Sequence, residues 1–163
     1  MEFYVVMEVI EKILQPTDWV NAVVVIEKPD KSLRVCIDPH DLNKAIKRPH
    51  HPMPTFDEAI LRHAGAKLFT KSDARHGYCS LVLDEESSQL TTFNTPYGRY
   101  KFKRMPFGLI SAQDEIQRRM EEAFEGIQGF FVIVDDIIIS RKTVEEHDAN
   151  VRSALIRAHE KGV

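Results

Sequence analysis

Residues 130–141 have the sequence FFVIVDDIIISR, an apolar run interrupted by two adjacent aspartates, Asp135 and Asp136. The apolar and β-branched residues on both sides predict strands at 130–134 and 137–141, which form a hairpin with the aspartates in its tight turn. A carboxylate in such surroundings is costly unless it is paired, and two adjacent carboxylates repel each other. Because aspartate is also common in ordinary turns, the pair alone does not decide between a turn and a functional site.

A third aspartate, Asp73, ends another predicted strand at residues 67–73. If the two elements are neighbours in one sheet, three carboxylates meet at one end of it. Such a group is tolerated only where cations neutralise it, and hard oxygen ligands favour Mg²⁺ or Mn²⁺. Two metal ions held in this way perform in-line phosphoryl transfer, in which one activates the attacking oxygen and the other stabilises the leaving group.

A phospho-accepting receiver domain is the alternative that also combines an aspartate pair with a third aspartate. In that class the pair comes early in the chain, and a lysine at the end of a strand follows late. Here the single Asp73 precedes the pair, so the order of the residues excludes a receiver domain. The predicted elements mix helices and strands without the regular alternation of a doubly wound sheet, which indicates an α+β fold.

The remaining elements are predicted from turn residues, helix caps and apolar periodicity. Thr55 and Glu58 form a capping box before a helix, and the turn at 29–31 joins two β-branched runs. The predicted elements are a hairpin at 20–28 and 32–38, an exposed connection at 38–54, helices at 55–64, 111–127 and 143–161, and two strands within 89–106. One face of the second helix is apolar, with Ala112, Ile116, Met120, Ala123 and Phe124.

The composition is that of an ordinary globular chain of 163 residues, long enough for one domain, or one domain and a small lobe, with a sizeable core. Its formal net charge of −3 gives no global basic field that would indicate a nucleic-acid partner. The two cysteines, Cys36 and Cys79, are too far apart for a zinc knuckle and indicate no disulfide framework. No apolar run is long enough to span a membrane, and the first residues lack a basic signal-peptide region. We therefore expect an intracellular protein that is neither secreted nor bound to a membrane.

Five stretches, found in the same order, resemble the polymerase segment of gypsy-type LTR-retrotransposon reverse transcriptases. The resemblance extends from about Trp19 to Val163, and so long a colinear set is highly specific. The stretches are LRVCIDPHDLNKAIKR (33–48), LFTKSDARHGY (68–78), LTTFNTPYGRYKFKRMPFGLISA (90–112), VIVDD (132–136) and EEHD (145–148). The resemblance implies a partial reverse transcriptase domain of a Pol polyprotein over residues 1–163, fingers-like at about 15–65 and palm at about 66–163, with the thumb absent.

This resemblance implies a right-hand polymerase, whose palm is an antiparallel sheet backed by helices, and it assigns roles to the aspartates. Asp73 and Asp135 would be the principal ligands of two Mg²⁺ ions, with Mn²⁺ as a substitute. Asp136 would be the third carboxylate, and the backbone carbonyl of Ala74 a further ligand. These four residues are the expected catalytic and metal-binding set.

The resemblance also places residues at the incoming dNTP. Arg34 would bind the triphosphate, for which a guanidinium offers several fixed donors. Tyr78 occupies the position of the sugar gate, where its ring would leave no room for a 2′-OH. Phe107 and Gly108 match the loop that lines the nucleotide pocket, and Gly108 would permit a close backbone approach.

Residues 97–104, YGRYKFKR, form a basic stretch with interleaved aromatic residues, called the basic hairpin below. Lys101, Lys103 and Arg104 are its candidates for contact with nucleic-acid phosphates. A solvated edge strand is an equally good interpretation of this stretch.

The function implied is RNA-directed DNA polymerase activity, which adds dNTPs to a primer on an RNA or DNA template. The expected partners also include the rest of a Pol polyprotein, namely its thumb, connection and RNase H regions. Because the primer grip and thumb of relatives would lie beyond Val163, we expect little activity from this chain alone. The alternative is a catalytically inactive remnant that binds nucleic acid or a protein. Four positions depart from the family pattern: Lys31, His40, Gln113 and Ile133.

Overall fold

A computed structural model describes residues 8–29, 31–74 and 77–162 of the chain. The chain divides into two compact units, each built from two separate stretches. The first unit comprises residues 1–48 and 78–112, and the second comprises residues 49–77 and 113–163. The division predicted from the sequence is a different one, with a single boundary between fingers and palm near residue 65. That division stays a prediction. The predicted turn residue Asp30 and the Arg75–His76 part of the 68–78 motif lie outside the described residues.

The first unit contains two antiparallel sheets. A two-stranded sheet pairs β2 (Ala22–Glu27) with β3 (Leu33–Asp38), which confirms the predicted hairpin. A three-stranded sheet has the order β1-β6-β5. Its strands are β1 (Ile10–Ile13), β5 (Phe93–Thr95) and β6 (Gly98–Phe102).

Buried aliphatic and aromatic side chains form the core of the first unit. The largest of the most completely buried ones, Phe93 and Phe102, lie on neighbouring strands with ring centroids 5.2 Å apart. Burial of such large apolar side chains is the main force that holds small sheets together. The other buried members of this core are Val9, Ile10, Val35, Ile37 and Tyr100.

Two short helices of the first unit, α1 (His40–Ala45) and α3 (Glu85–Leu90), were not predicted. The predicted exposed connection at 38–54 is therefore wrong over α1, and the strands predicted within 89–106 begin only at Phe93. α1 has no side-chain cap, so its start leaves no signal in the sequence. Tertiary contacts hold it, since the Asn43 amide donates to Gly108 O and its oxygen accepts from Ile110 N. β1 was also missed, because a four-residue strand shows little periodicity.

The second unit contains a three-stranded antiparallel sheet of order β4-β8-β7. The strands are β4 (Leu68–Asp73), β7 (Phe130–Ile133) and β8 (Asp136–Arg141). β8 is the central strand, and its paired neighbours come from distant parts of the sequence. The sheet thus brings the strand that ends at Asp73 beside the strand that begins at Asp136, as the sequence predicted.

Three helices accompany this sheet: α2 (Phe56–Arg62), α4 (Ala112–Ala123) and α5 (Val144–Lys161). The predicted capping box is present, because Thr55 Oγ1 accepts from Glu58 N and Glu58 Oε2 accepts from Thr55 N. The five residues of the predicted apolar helix face are all buried. α4 ends at Ala123, earlier than predicted, although the apolar pattern continues to Phe124. No described helix is long and apolar enough to cross a membrane.

Candidate active site

The three predicted aspartates lie at one end of the sheet in the second unit. Asp73 of β4 is directly opposite Asp136 of β8, and Asp136 is also opposite Ile133 of β7. The residues between Ile133 and Asp136 therefore form a two-residue turn, Val134-Asp135. Our prediction that Asp135 and Asp136 are the turn residues is wrong by one position. We call residues 133–136 the carboxylate turn.

Val134 carries backbone strain, because its φ of 58° lies in the left-handed region. A β-branched side chain is rarely found there, and such a conformation persists only where the surroundings enforce it. Two-residue hairpins need a positive φ in order to match the twist of the strands, which explains why the strain falls within the turn. It falls on the residue directly before Asp135.

Hydrogen bonds hold the carboxylate turn on both sides of Asp135. The side chain of Gln117 on α4 accepts from Val134 N at 2.7 Å and donates to Val132 O at 3.0 Å. The backbone N–H of Ala74 donates to Asp135 O at 2.9 Å, which extends the pairing of β4 with β8 beyond Asp73. Gln117 is not among the site residues that the sequence predicted. Its signal was a polar residue within the apolar stripe of α4, three positions before Met120.

The carboxylates themselves are not gathered into one ligand set. Lys71 Nζ lies 3.1 Å from Asp136 Oδ1, and both side chains are largely exposed. Within the ranges 8–29, 31–74 and 77–162, no group of three or more His, Cys, Asp or Glu side chains is placed to hold a metal ion. Aspartates that repel one another separate unless a cation draws them together, and the ammonium of Lys71 is a cation paired with Asp136.

The donor set nevertheless fits a hard divalent cation in kind and in backbone position. All three aspartates offer oxygen ligands, and the strand register puts two of them directly opposite each other. Asp73 and Asp136 are exposed, so their carboxylates can rotate without unpacking a core. Ala74 is buried, and its carbonyl accepts from Gly77 N at 3.0 Å, which uses one of its two lone pairs.

In the first unit, three predicted nucleotide-binding residues lie together. The guanidinium of Arg34 is 4.5 Å from the ring centroid of Phe107, and the Tyr78 ring centroid is 4.2 Å from that of Phe107. We call these three residues the aromatic stack. Stacking uses the face of the guanidinium, whereas its N–H donors lie in its plane. Arg34 in this position can therefore still present donors to a phosphate.

Gly108 follows the aromatic stack and lies against the backbone of β3. A Cβ atom at this position would be 2.2 Å from Ile37 O, and the φ of 115° is one that other residues rarely adopt. The neighbouring Phe107 O accepts from Ile37 N at 3.2 Å. The structure thus shows a close backbone approach at Gly108 toward β3, while the predicted role of Gly108 in a nucleotide pocket stays a prediction.

The three basic candidates of the basic hairpin differ in their surroundings. Lys101 is buried, and its Nζ lies 2.5 Å from Glu85 Oε1 and 3.7 Å from Glu11 Oε2. The hydrogen bond from Lys101 lowers the pKa of the Glu85 carboxyl, and the ammonium of Lys101 is already paired with acidic side chains within the unit. Arg104 Nη1 donates to Cys79 O at 3.0 Å. Lys101 is thus poorly placed for a phosphate contact, while Lys103 and Arg104 are only half-buried.

Comparison with known proteins places these features in a family. The family model described as "Reverse transcriptase (RNA-dependent DNA polymerase)" matches residues 26–163. An uncharacterized protein of Caenorhabditis elegans is 37% identical over 147 residues, which cover 88% of this chain and 12% of the relative. The enzymatic polyprotein of Cauliflower mosaic virus (strain Strasbourg) is 33% identical over 138 residues, which cover 84% of this chain and 20% of the polyprotein. The chain thus spans at most a fifth of the length of these two relatives.

Solved structures of foamy viral protease-reverse transcriptase resemble this chain. The complex with dsDNA has a TM-score of 0.87 at 20% identity, covering 98% of this chain and 33% of that chain. The complex with an RNA/DNA hybrid has a TM-score of 0.86 at 20% identity, covering 98% of this chain and 21% of that chain. At this level of identity the likeness shows the fold. It confirms the predicted α+β polymerase fold, with antiparallel sheets and their helices.

Proposed function

Because this chain belongs to the reverse transcriptase (RNA-dependent DNA polymerase) family, we propose that it is a polymerase segment that extends a primer 3′-OH with dNTPs on an RNA or DNA template. The observation that carries the proposal is the register of the second unit, in which Asp73 lies opposite Asp136 and the turn presents Asp135 beside them. The order of the sequence motifs supports the finer assignment to a gypsy-type LTR-retrotransposon Pol polyprotein.

Asp73 and Asp135 would be the principal ligands of two Mg²⁺ ions, with Asp136 as the third carboxylate and the Ala74 carbonyl as a further donor. When bound, such ions activate the attacking 3′-OH and stabilise the leaving pyrophosphate. The protein's own contribution is to fix these donors at the end of the sheet. The pairing of β4 with β8 and the Ala74 N–H bond to Asp135 O provide that fixed frame.

The aromatic stack would receive the nucleotide. Arg34 would donate its in-plane N–H groups to the triphosphate, since a charged donor forms strong hydrogen bonds with phosphate oxygens. Tyr78 would lie under the deoxyribose and exclude a 2′-OH, the group that distinguishes the two nucleotide classes. Phe107 would support both residues through the ring contacts described above, and Gly108 lets the loop that carries it lie close against β3.

Lys103 and Arg104 would meet the backbone of the primer–template, where each cation releases a condensed counterion and makes the affinity salt-dependent. The proposed setting is intracellular, within a polyprotein that also supplies thumb, connection and RNase H regions. Correct placement of the primer 3′-OH accounts for roughly 7–11 kcal/mol of such a barrier. A thumb that supplies this placement would therefore raise the rate of extension strongly.

The test is primer extension on an RNA template with Mg²⁺, by the full chain and by the chain fused to the downstream thumb of a close relative. We expect the fusion to extend the primer, Asp135→Asn to abolish extension, and the exposed carboxylate control Asp148→Asn to leave it unchanged. A fusion that folds and binds primer–template but stays inert would contradict the proposal. Salt-dependent RNA binding that survives loss of all three aspartates would then indicate the alternative function, a binding module without chemistry.

A further inference from the structure

Gln117 is a polar side chain that has no exposed surface, at 0% relative accessibility, in the middle of α4. It reaches the carboxylate turn with both ends of its amide. Its Oε1 accepts from Val134 N at 2.7 Å, while its Nε2 donates to Val132 O at 3.0 Å and to Glu121 Oε1 at 2.7 Å. Both N–H groups and the oxygen of this amide have partners, and removal of the amide would leave Val132 O and Val134 N–H without theirs.

The partners of Gln117 permit only one orientation of its amide. Val132 O and Glu121 Oε1 are acceptors, so both require the NH₂ group, while Val134 N–H is a donor and requires the oxygen. Glu121 is held in turn by His51, whose Nε2 lies 2.8 Å from Glu121 Oε2. Hydrogen bonds thus connect His51, Glu121 and Gln117 in a row that leads to the carboxylate turn. Each side chain in the row fixes the orientation of the next.

This row acts on the strained part of the turn. The φ of 58° at Val134 is unfavourable for valine, and a fixed acceptor at its N–H provides a compensating hydrogen bond. Because Asp135 is the next residue, the orientation of its backbone follows from that of Val134. Ala74 N–H then fixes Asp135 O from the other side at 2.9 Å.

We infer that Gln117 is a positioning residue that holds Asp135 ready to bind a divalent cation, with Glu121 fixing the direction of the Gln117 amide. The inference rests on the proposed function, since it concerns the same metal-binding carboxylate. Gln117 does not touch the metal. It keeps the strained turn in place, as outer-shell partners do for the ligands they support.

The experiment measures two properties of the full chain: hydrogen exchange of the Val134 amide by NMR, and Mn²⁺ affinity by titration. Turn amides usually exchange quickly, so slow exchange at Val134 would report the bond to Gln117. Gln117→Met should speed exchange at Val134 while Ile137 and Ile139 in β8 remain protected. It should also weaken Mn²⁺ binding by roughly 10- to 100-fold.

Two further variants separate positioning from general stability. Gln117→Glu keeps an acceptor oxygen for Val134 N–H, so it should retain more protection at Val134 than Gln117→Met. Gln113→Met makes the same chemical change on the exposed side of α4 and should alter neither property. If Gln117→Met does not fold, the parent chain and Gln117→Glu still provide the comparison.

Rapid exchange of Val134 in the parent chain would overturn the inference, as would unchanged Mn²⁺ affinity in a folded Gln117→Met that has lost its Val134 protection. The proposed function fails differently, through Mn²⁺ binding that is equal in the parent and in Asp135→Asn. That result would remove the metal role of the turn, even where Val134 is well protected.

Discussion

The carboxylate turn in the second unit and the aromatic stack in the first are held by different kinds of contact. Directional hydrogen bonds from Gln117 and Ala74 hold the turn, and they enforce a strained backbone at Val134. Ring contacts hold Arg34 and Tyr78 against Phe107, and such contacts tolerate changes of angle and distance. Metal ligands tolerate little displacement, whereas residues that receive a nucleotide must exchange partners when it binds. The two kinds of contact suit the two tasks that we propose for these regions.

The largest effect that we expect is a loss of stability at Gly108, where the loop that carries Phe107 lies against β3. We expect Gly108→Ala to lower the free energy of unfolding by about 3 kcal/mol or more, because its Cβ would be 2.2 Å from Ile37 O at a φ of 115°. Chemical denaturation measures the loss. Gly126→Ala is the control, since Gly126 also has a positive φ of 83° but no atom within 4 Å of the added Cβ. Equal losses in the two variants would show that the close contact contributes nothing.

The function of the aromatic stack is tested by Tyr78→Val in a form of the protein that polymerises. Removal of the ring should raise the use of ribonucleotides relative to deoxynucleotides by about tenfold or more, because the 2′-OH of a ribonucleotide would no longer clash with the Tyr78 ring. Competition between the two nucleotides in primer extension measures the ratio. Use of deoxynucleotides should stay largely intact, and an unchanged ratio would show that Tyr78 only packs against Phe107.

Lys31 also has a strained backbone but is not part of the proposed site, so it provides a reference for the strain at Val134. Lys31 has a φ of 66° in the β2–β3 hairpin, and its exposed ion pair with Glu27 contributes little. Lys31→Gly should therefore raise the free energy of unfolding by about 1 kcal/mol, since glycine adopts this conformation without a steric cost. Thermal and chemical unfolding measure the gain. A loss of stability would show that φ alone does not identify strain in this chain.

The smallest expected effect is the coupling within the aromatic stack. A double-mutant cycle with Arg34→Met and Phe107→Leu should give a coupling energy of about 0.5–1 kcal/mol in the unfolding free energy, the usual value for a cation–π contact that keeps access to solvent. A coupling of several kcal/mol would mean that the stack is as firmly held as the carboxylate turn. That outcome would remove the distinction between the two regions.

The parts of this structure that were predictable are marked by residues close together in the sequence or by the order of the sequence motifs. The Thr55 capping box and the β2–β3 hairpin follow from local residue types, and the meeting of Asp73 with the aspartate pair follows from the order of the motifs. Lys31, one of the four positions that depart from the family pattern, has a positive φ. Each of these features depends on residues that are close in sequence or on a familiar series of motifs.

The parts that were not predictable depend on contacts between residues distant in sequence. The turn shifted by one residue because strand register, and not the position of the charges, decides which two residues form a hairpin loop. The pairing of Lys101 with Glu85 and Glu11 joins three elements, one of which, β1, is too short to recognise. Gln117 was visible as a polar residue in an apolar stripe, but its partner, the turn backbone, was not.

The most direct test of the central claim, that the carboxylate turn and Asp73 bind divalent cations, is paramagnetic broadening of the NMR spectrum by Mn²⁺. Added at low ratio to the ¹⁵N-labelled full chain, Mn²⁺ should selectively broaden the amides of Asp73, Asp135 and Asp136. The broadening should disappear in Asp135→Asn. In the parent chain, added Mg²⁺ should reverse it by competing with Mn²⁺ for the site. Broadening centred elsewhere in the chain, or an identical pattern in the parent and in Asp135→Asn, would contradict the account.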